Sequence, residues 1–286
     1  MREAAAEARA GWRARGEERS VGTRRSRGLA LAGASMPLVL LVLLPLLALV
    51  LHVTPEAFLA ALAEPAVRQA LQLSLVTTLV ATGLALLLGT PAAYLLARRQ
   101  FPGRTAIETL LEVPMVLPPA VAGIALLVAF GRRGLLGPWL GAAGIDVAFT
   151  PVAVVIAQLF VAGPFYVKAA TAAFAAADRE VEQAAAVDGA SPLAVFRHIT
   201  LPLAAVPLIG GMVMMWARAL GEFGATIIFA GNFPGRTQTM PLAIYLGFEL
   251  DLNVSLTLAL ILLATSAAVL LLVKGILGRR ISGVIQ

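Results

Sequence analysis

Apolar residues in this chain come as long unbroken runs rather than as stripes on otherwise polar helices. Six runs, at about 30–53, 71–97, 107–130, 150–173, 203–230 and 254–277, alternate with short stretches that gather the charges. A helix rises about 1.5 Å per residue and a bilayer core is about 30 Å thick, so roughly 20 apolar residues cross it. The pattern predicts an all-α membrane protein with six transmembrane helices. The first run is almost pure Leu, Val and Ala, as suits a helix surrounded by lipid. The others carry Thr77, Thr78, Thr82, Gly83, Gly89, Gly210, Gly211, Thr257, Thr265 and Ser266. Small and hydroxyl residues let helices approach closely, so these five are expected to form a bundle.

Composition agrees. Of 286 residues 59% are hydrophobic and 13% charged, about half the charge of a soluble domain. There is no cysteine, which excludes disulfides, thiolate metal sites and cysteine nucleophiles. The two histidines, His52 and His198, lie too far apart for a histidine metal cluster, so neither metal nor cofactor is expected.

The sequence pI near 10.7 raises the question of nucleic acid. However, eight of the 22 basic residues fall in the first 27 positions and most others flank apolar runs, so topology accounts for them and no nucleic-acid partner is expected. With the N-terminus in the cytoplasm, inward segments hold 17 Lys and Arg and outward loops four, Arg68, Arg132, Arg133 and Arg236. That bias places both termini inside a multi-pass protein of the cell membrane. Residues 1–28 read as a disordered basic tail, and translation could begin at Met1 or Met36. A cleaved signal peptide is disfavoured because Ala61-Leu62-Ala63 lies about ten residues beyond the first run, so that run is expected to be a retained span.

One connector is built unlike a linker. Residues 182–202 read EQAAAVDGASPLAVFRHITLP. Asp178 can cap a helix whose first turns hold Glu180 and Glu182, where the helix dipole favours acids. The helix runs through Ala184, Ala185 and Ala186, and Gly189 is suited to end it. Ser191-Pro192 restarts a helix, and Thr200-Leu201-Pro202 repeats the device to launch the next span. Two short helices result, with Val181, Ala185, Leu193 and Phe196 exposed beside charges. Lipid-resting helices are rich in Lys and Arg; here Asp178, Glu180, Glu182 and Asp188 outnumber Arg179 and Arg197, which favours a protein partner.

Ala184-Ala185, Gly189, Ile199 and Leu201-Pro202 resemble the EAA loop of ABC importer permeases. Gln183 holds the usual glutamate position and Glu182 stands one residue earlier, so either could make the polar contact. The resemblance implies that 178–202 is a coupling loop seated on a separate ATP-binding-cassette ATPase subunit. The chain has no Gly-Lys dipeptide and hence no phosphate-binding loop of that type. It is read as a non-catalytic subunit.

Spans three and five carry the remaining polar chemistry. Pro114, Pro118 and Pro119 interrupt span three; they mark either a packing kink or a break lining the pathway. Arg218 and Glu222, four apart in span five, can pair on one helix face, as a structural lock or as part of a gate. Residues 112–137 and 217–245 resemble molybdate importer permeases, with the likeness covering about 68–275. It implies a five-helix core to which the first span and the tail are additions, and a homodimer in membrane lipid. It also implies an extracytoplasmic oxyanion-binding protein, expected to dock on loops 131–149 and 231–253. Sulfate/thiosulfate and tungstate permeases are similar in both regions. A self-contained secondary transporter is disfavoured: span three is broken by proline and no matching break is evident in the second half.

Overall fold

The computed structural model describes residues 33–282; the basic tail and Met1 lie outside the described residues, as do the last four. Residues 1–54 and 55–286 form two separate units. In the first, α1 (Gly33–His52) is a 20-residue helix of mean hydropathy 2.7, long enough to cross a bilayer.

In the second unit, α2 (Pro55–Ala63) precedes α3 (Pro65–Arg98), a helix of 34 residues. Then come α4 (Arg104–Val116), α5 (Pro119–Phe130), the short α6 (Gly137–Ala142) and α7 (Pro151–Ala176). The connector folds as α8 (Arg179–Val187) and α9 (Pro192–Val195), which passes through a π-turn, Phe196–Thr200, into α10 (Leu201–Leu220). The chain ends with α11 (Gly224–Phe229), α12 (Met240–Leu250) and α13 (Leu252–Ser282). No strand occurs among the described residues.

Five helices are long and apolar enough to span: α1, α3, α7, the stretch Pro192–Leu220, and α13. The run expected at 107–130 is instead two helices, α4 and α5, bent by 116°. Leu117 and Pro118 at the break are both extended (ψ 136° and 135°). The adjacent prolines explain it: each lacks an N–H, and each drives the residue before it out of helical conformation. Single prolines do not suffice, since Pro91, Pro164 and Pro207 remain inside α3, α7 and α10. The run at 203–230 is also discontinuous, because α10 stops at Leu220. The second half therefore does contain the break that its sequence was read as lacking.

Alanine and glycine set the packing. Where α3, α7 and α10 meet, the core is Ala81, Ala85, Ala93, Ala162, Ala170, Ala204 and Ala219 around Tyr166, Phe174 and Met215. A Cβ on Gly211 would lie 2.6 Å from Ala169 Cβ, so these two backbones are as close as side-chain sterics permit. The Thr90 and Tyr166 hydroxyls bond at 2.6 Å, and Thr82 donates to Met215 Sδ at 3.3 Å. A second core joins α5, α7 and α11 through Ala122, Leu126, Ala157, Val161, Ala225 and Phe229. A third joins the start of α3 to the end of α10, α12 and α13 through Val67, Ala70, Leu220, Met240 and Leu258. The N-terminus of α12 is buried there, with Met240 N–H donating to Ser74 Oγ at 2.7 Å. Both α6 and α12 lie in the stretches 131–149 and 231–253, which the sequence presents as outward loops.

Candidate functional site

The connector at 178–202 folds largely as its residues dictate. Asp178 Oδ1 accepts from Glu180 N–H at 2.8 Å, capping α8. Gly189 adopts φ +90°, with Gly189 N–H bonded to Ala186 O and Ala190 N–H to Ala185 O. That pair of bonds is the Schellman arrangement, which needs a left-handed residue at this position. Ser191 Oγ accepts from Ala194 N–H at 3.3 Å, and Pro192 begins α9.

Two details differ from the sequence reading. Thr200 does not begin a new helix: its backbone is helical, and α9 continues into α10 through the π-turn, where Leu201 N–H reaches Phe196 O. The Pro202 ring would clash with the carbonyl of His198, and the wider turn gives it room. Phe196 is turned partly inward, edge-on to Tyr94 at 5.0 Å and tilted against Phe174 at 6.1 Å.

Glu182 and Gln183, adjacent in sequence, stand in different surroundings. Glu182 Oε1 accepts from Arg98 Nη2 at 2.5 Å and from Thr200 Oγ1 at 2.6 Å. Gln183 and Ala184 are exposed, Ala185 half-buried and Gly189 exposed. Ile199 and Leu201 are half-buried and Pro202 exposed. Val181, Val187 and Leu193 expose 45%, 87% and 73% of their surface on this charged end of the bundle. Arg98 could be read in sequence only as a topology charge; nothing local marks a partner 84 residues away.

The pathway candidates fall into two places. Pro114 is buried in α4 and lines an apolar cavity of about 300 Å³ with Gly89, Leu159 and Pro164. Pro118 and Pro119 stand at the break, where α5 and α11 run together. A Cβ on Gly224 would collide with Pro119, and one on Gly123 would lie 2.8 Å from Ile228 Cβ and 3.0 Å from Ala225 O. The two breaks are thus neighbours. Arg218 and Glu222 do pair, Nη1 to Oε2 at 2.8 Å, but Glu222 lies beyond the end of α10. Its other oxygen accepts from Ala225 N–H at 2.9 Å, so one carboxylate closes α10 and opens α11. Its side chain is 1% exposed and that of Arg218 33%. A further pair, Lys168–Glu112 at 3.0 Å, ties α7 to α4.

At the opposite end from α8, the stretches 131–149 and 231–236 border a groove of about 520 Å³, lined by Arg132, Asp146, Phe149, Phe233 and Arg236 among others. Arg132 donates two bonds to Asp146, at 3.0 and 2.8 Å. Those bonds first, and the opposite charge of the partner second, hold the Asp146 carboxyl below its ordinary pKa and raise that of Arg132. Phe149 takes φ +61°, rare for a bulky residue, secured by its N–H on Phe229 O and by edge contact with Phe233. Among the described residues no group of acids and histidines could hold a metal ion.

Residues 85–283 match the family described as binding-protein-dependent transport system inner membrane component. The chain is 43% identical over 233 residues to a molybdenum transport system permease protein of Mycobacterium bovis, covering 82% of this chain and 88% of the relative. It is 33% identical over 255 residues to a sulfate transport system permease protein of Synechocystis, covering 88% and 92%. In fold it is similar to a bacterial ABC transporter involved in alginate import (TM-score 0.66, 17% identity, 89% of this chain and 96% of that one). It is also similar in fold to the MetNI methionine ABC transporter (TM-score 0.56, 15% identity, 74% and 95%). The bundle of spanning helices, the capped connector and these likenesses together place the chain in the binding-protein-dependent transport system inner membrane component family, as a permease subunit of an ABC transporter.

Proposed function

We propose that the chain forms, with a second copy of itself, the membrane pathway of an ATP-driven importer for a tetrahedral oxyanion, molybdate. The 43% identity to a molybdenum permease along 82% of the chain carries this reading. The chain crosses the membrane six times, counting α1 and taking α4 and α5 as one broken span, with both termini cytoplasmic. The permease core is the stretch 68–275, to which α1 is an addition. A separate ATPase subunit seats on α8 and α9, meeting Gln183, Ala184, Ala185 and Gly189, while Glu182, Ile199, Leu201 and Pro202 join the segment to the bundle. An extracytoplasmic binding protein delivers the anion to the groove between 131–149 and 231–236.

Coupling follows from differential binding: an ATPase pair that closes on ATP draws the two α8 segments together and favours one state of the bundle over the other. The paired breaks are where the spans can hinge. Pro118, Pro119 and the Arg218–Glu222 pair form the gate, and Pro114 lines the pathway where α4 meets α3 and α7. The 33% identity to a sulfate permease over 88% of the chain supports sulfate as the second reading.

The test is reconstitution of the permease, its ATPase and its binding protein in proteoliposomes. ATP-dependent uptake of molybdate, competed by tungstate and weakly by sulfate, is expected. Preference for sulfate would replace the cargo, and uptake by the chain alone without nucleotide would sink the importer reading.

A further inference from the structure

Glu182 sits on the helix proposed to receive the ATPase, yet its carboxylate faces the bundle. One oxygen, Oε1, accepts both the Arg98 guanidinium and the Thr200 hydroxyl. Arg98 closes the last turn of α3, and its Nη1 and Nη2 also approach Ala177 O at 3.4 and 3.3 Å, on the link that enters α8. The Arg98 and Glu182 side chains are only 9% and 15% exposed, and Thr200 is fully buried. Three elements therefore meet at a single oxygen: the end of α3, the first turns of α8 and the π-turn that opens α10.

The π-turn belongs to this arrangement. A residue inserted into a helix turns the face that follows by about 100° relative to an unbroken α-helix. Thr200, the last residue of that turn, would lie on another side of the helix without it. Two connectors that could otherwise yield, 177–178 and 188–191, are bypassed by the bonds from Arg98 and Thr200.

We infer that Glu182 is a positioning residue: it clamps α8 to α3 and α10 together, so that displacement of α8 reaches two spans at once. The inference rests on the reading of α8 as the ATPase seat and goes beyond it. It assigns Glu182 an intramolecular role and leaves the exposed Gln183 to the partner. Both α3 and α10 pack on α7 through the same alanine core, so the clamp addresses the most closely packed part of the bundle.

The test compares Glu182→Gln, Arg98→Met, Thr200→Val and Thr200→Ser in the reconstituted complex with its ATPase and binding protein. Readouts are co-purification of the ATPase, hydrolysis stimulated by the loaded binding protein, and anion transported per ATP. Glu182→Gln, Arg98→Met and Thr200→Val should retain the ATPase. Each should lose about tenfold in transport per ATP, the scale of one missing hydrogen bond to a charged group. Thr200→Ser, which keeps the hydroxyl, should restore coupling. A merely structural loss would lower complex yield and would leave transport per ATP in the surviving complex unchanged, which overturns the inference. Loss of ATPase binding in Glu182→Gln alone, with Arg98→Met and Thr200→Val fully coupled, also overturns it, because Glu182 would then be a partner contact. If the wild-type chain neither retains an ATPase nor moves an anion, the permease reading fails and the clamp falls with it.

Discussion

The α8 connector and the paired breaks both interrupt regular helix, and they do so by opposite means. Between Asp178 and Ser191 each change of direction is made by a residue within three positions of the bond that needs it: Asp178 for Glu180, Gly189 for Ala186, Ser191 for Ala194. At the breaks the determinants are spread across the fold. The prolines at 118 and 119 act locally, but the break after Leu220 is held by a carboxylate reaching both ways and by Gly224 lying against Pro119. Local devices can be edited one at a time with small losses. A joint between two breaks fails as a unit.

That contrast predicts the largest effect at Glu222. Replacing it by Leu leaves the Arg218 charge unpaired and Ala225 N–H uncapped. Breaking a buried pair costs about 3–5 kcal/mol, and the one-third exposure of Arg218 puts this case at the low end, about 3 kcal/mol. The expected outcome is a lowered unfolding midpoint in detergent, with most of the loss recovered in Arg218→Met/Glu222→Leu. A double variant no better than the single would mean that the carboxylate acts through the α11 cap and not through the ion pair.

Gly224→Val should follow, at about 2 kcal/mol from overpacking against Pro119. Because Gly123 lies in the same α5–α11 seam, Gly123→Ala and Gly224→Ala should be non-additive when combined. Additive losses would show that the two breaks are independent, and the comparison above would lose its second half.

How far each region could be read in advance follows the same division. The caps at Asp178, Gly189 and Ser191, and the Arg218–Glu222 pair at a spacing of four, are short-range and were legible. So was a disruption at Pro118-Pro119, although not its 116° bend. The end of α10 was hidden because Gly221-Glu222-Phe223-Gly224 is followed at once by Ala225 to Ala230, apolar but for Thr226, so hydropathy runs straight through it. Thr200-Leu201-Pro202 misled for the converse reason: it has the composition of a helix start, yet a π-turn lets the helix continue through it. The Arg98–Glu182 contact and the Gly224–Pro119 approach depend on residues 84 and 105 positions apart, and no periodicity within one helix encodes them.

Within the connector, Ser191→Ala should cost about 1 kcal/mol through the lost cap. Gly189→Ala should cost a similar amount, about 1–2 kcal/mol, for a left-handed residue bearing a Cβ, since nothing stands within 4 Å to clash. Both losses should appear as faster amide exchange confined to 179–195, with the midpoint of the bundle unmoved. A lowered midpoint would show that the connector is as cooperative with the bundle as the breaks are.

The smallest effect belongs to the far end, where Arg132 and Asp146 are exposed. Because its bonds to Arg132 lower the Asp146 pKa in the folded chain, the pair's contribution is complete above the ordinary carboxylate value, about pH 4. It is lost only as pH falls through the lowered one. Fluorescence of Trp139, exposed on α6 between the two partners, should therefore stay flat from neutral pH down to about pH 4 and change below it. In Asp146→Asn that change should vanish. Salt screens exposed pairs, so raising ionic strength from about 0.1 to 1 M should reproduce part of the acid response at neutral pH. A response to acid that salt does not mimic, and that survives in Asp146→Asn, would mean that Phe149 and Phe233 hold this loop and that the ion pair only decorates it.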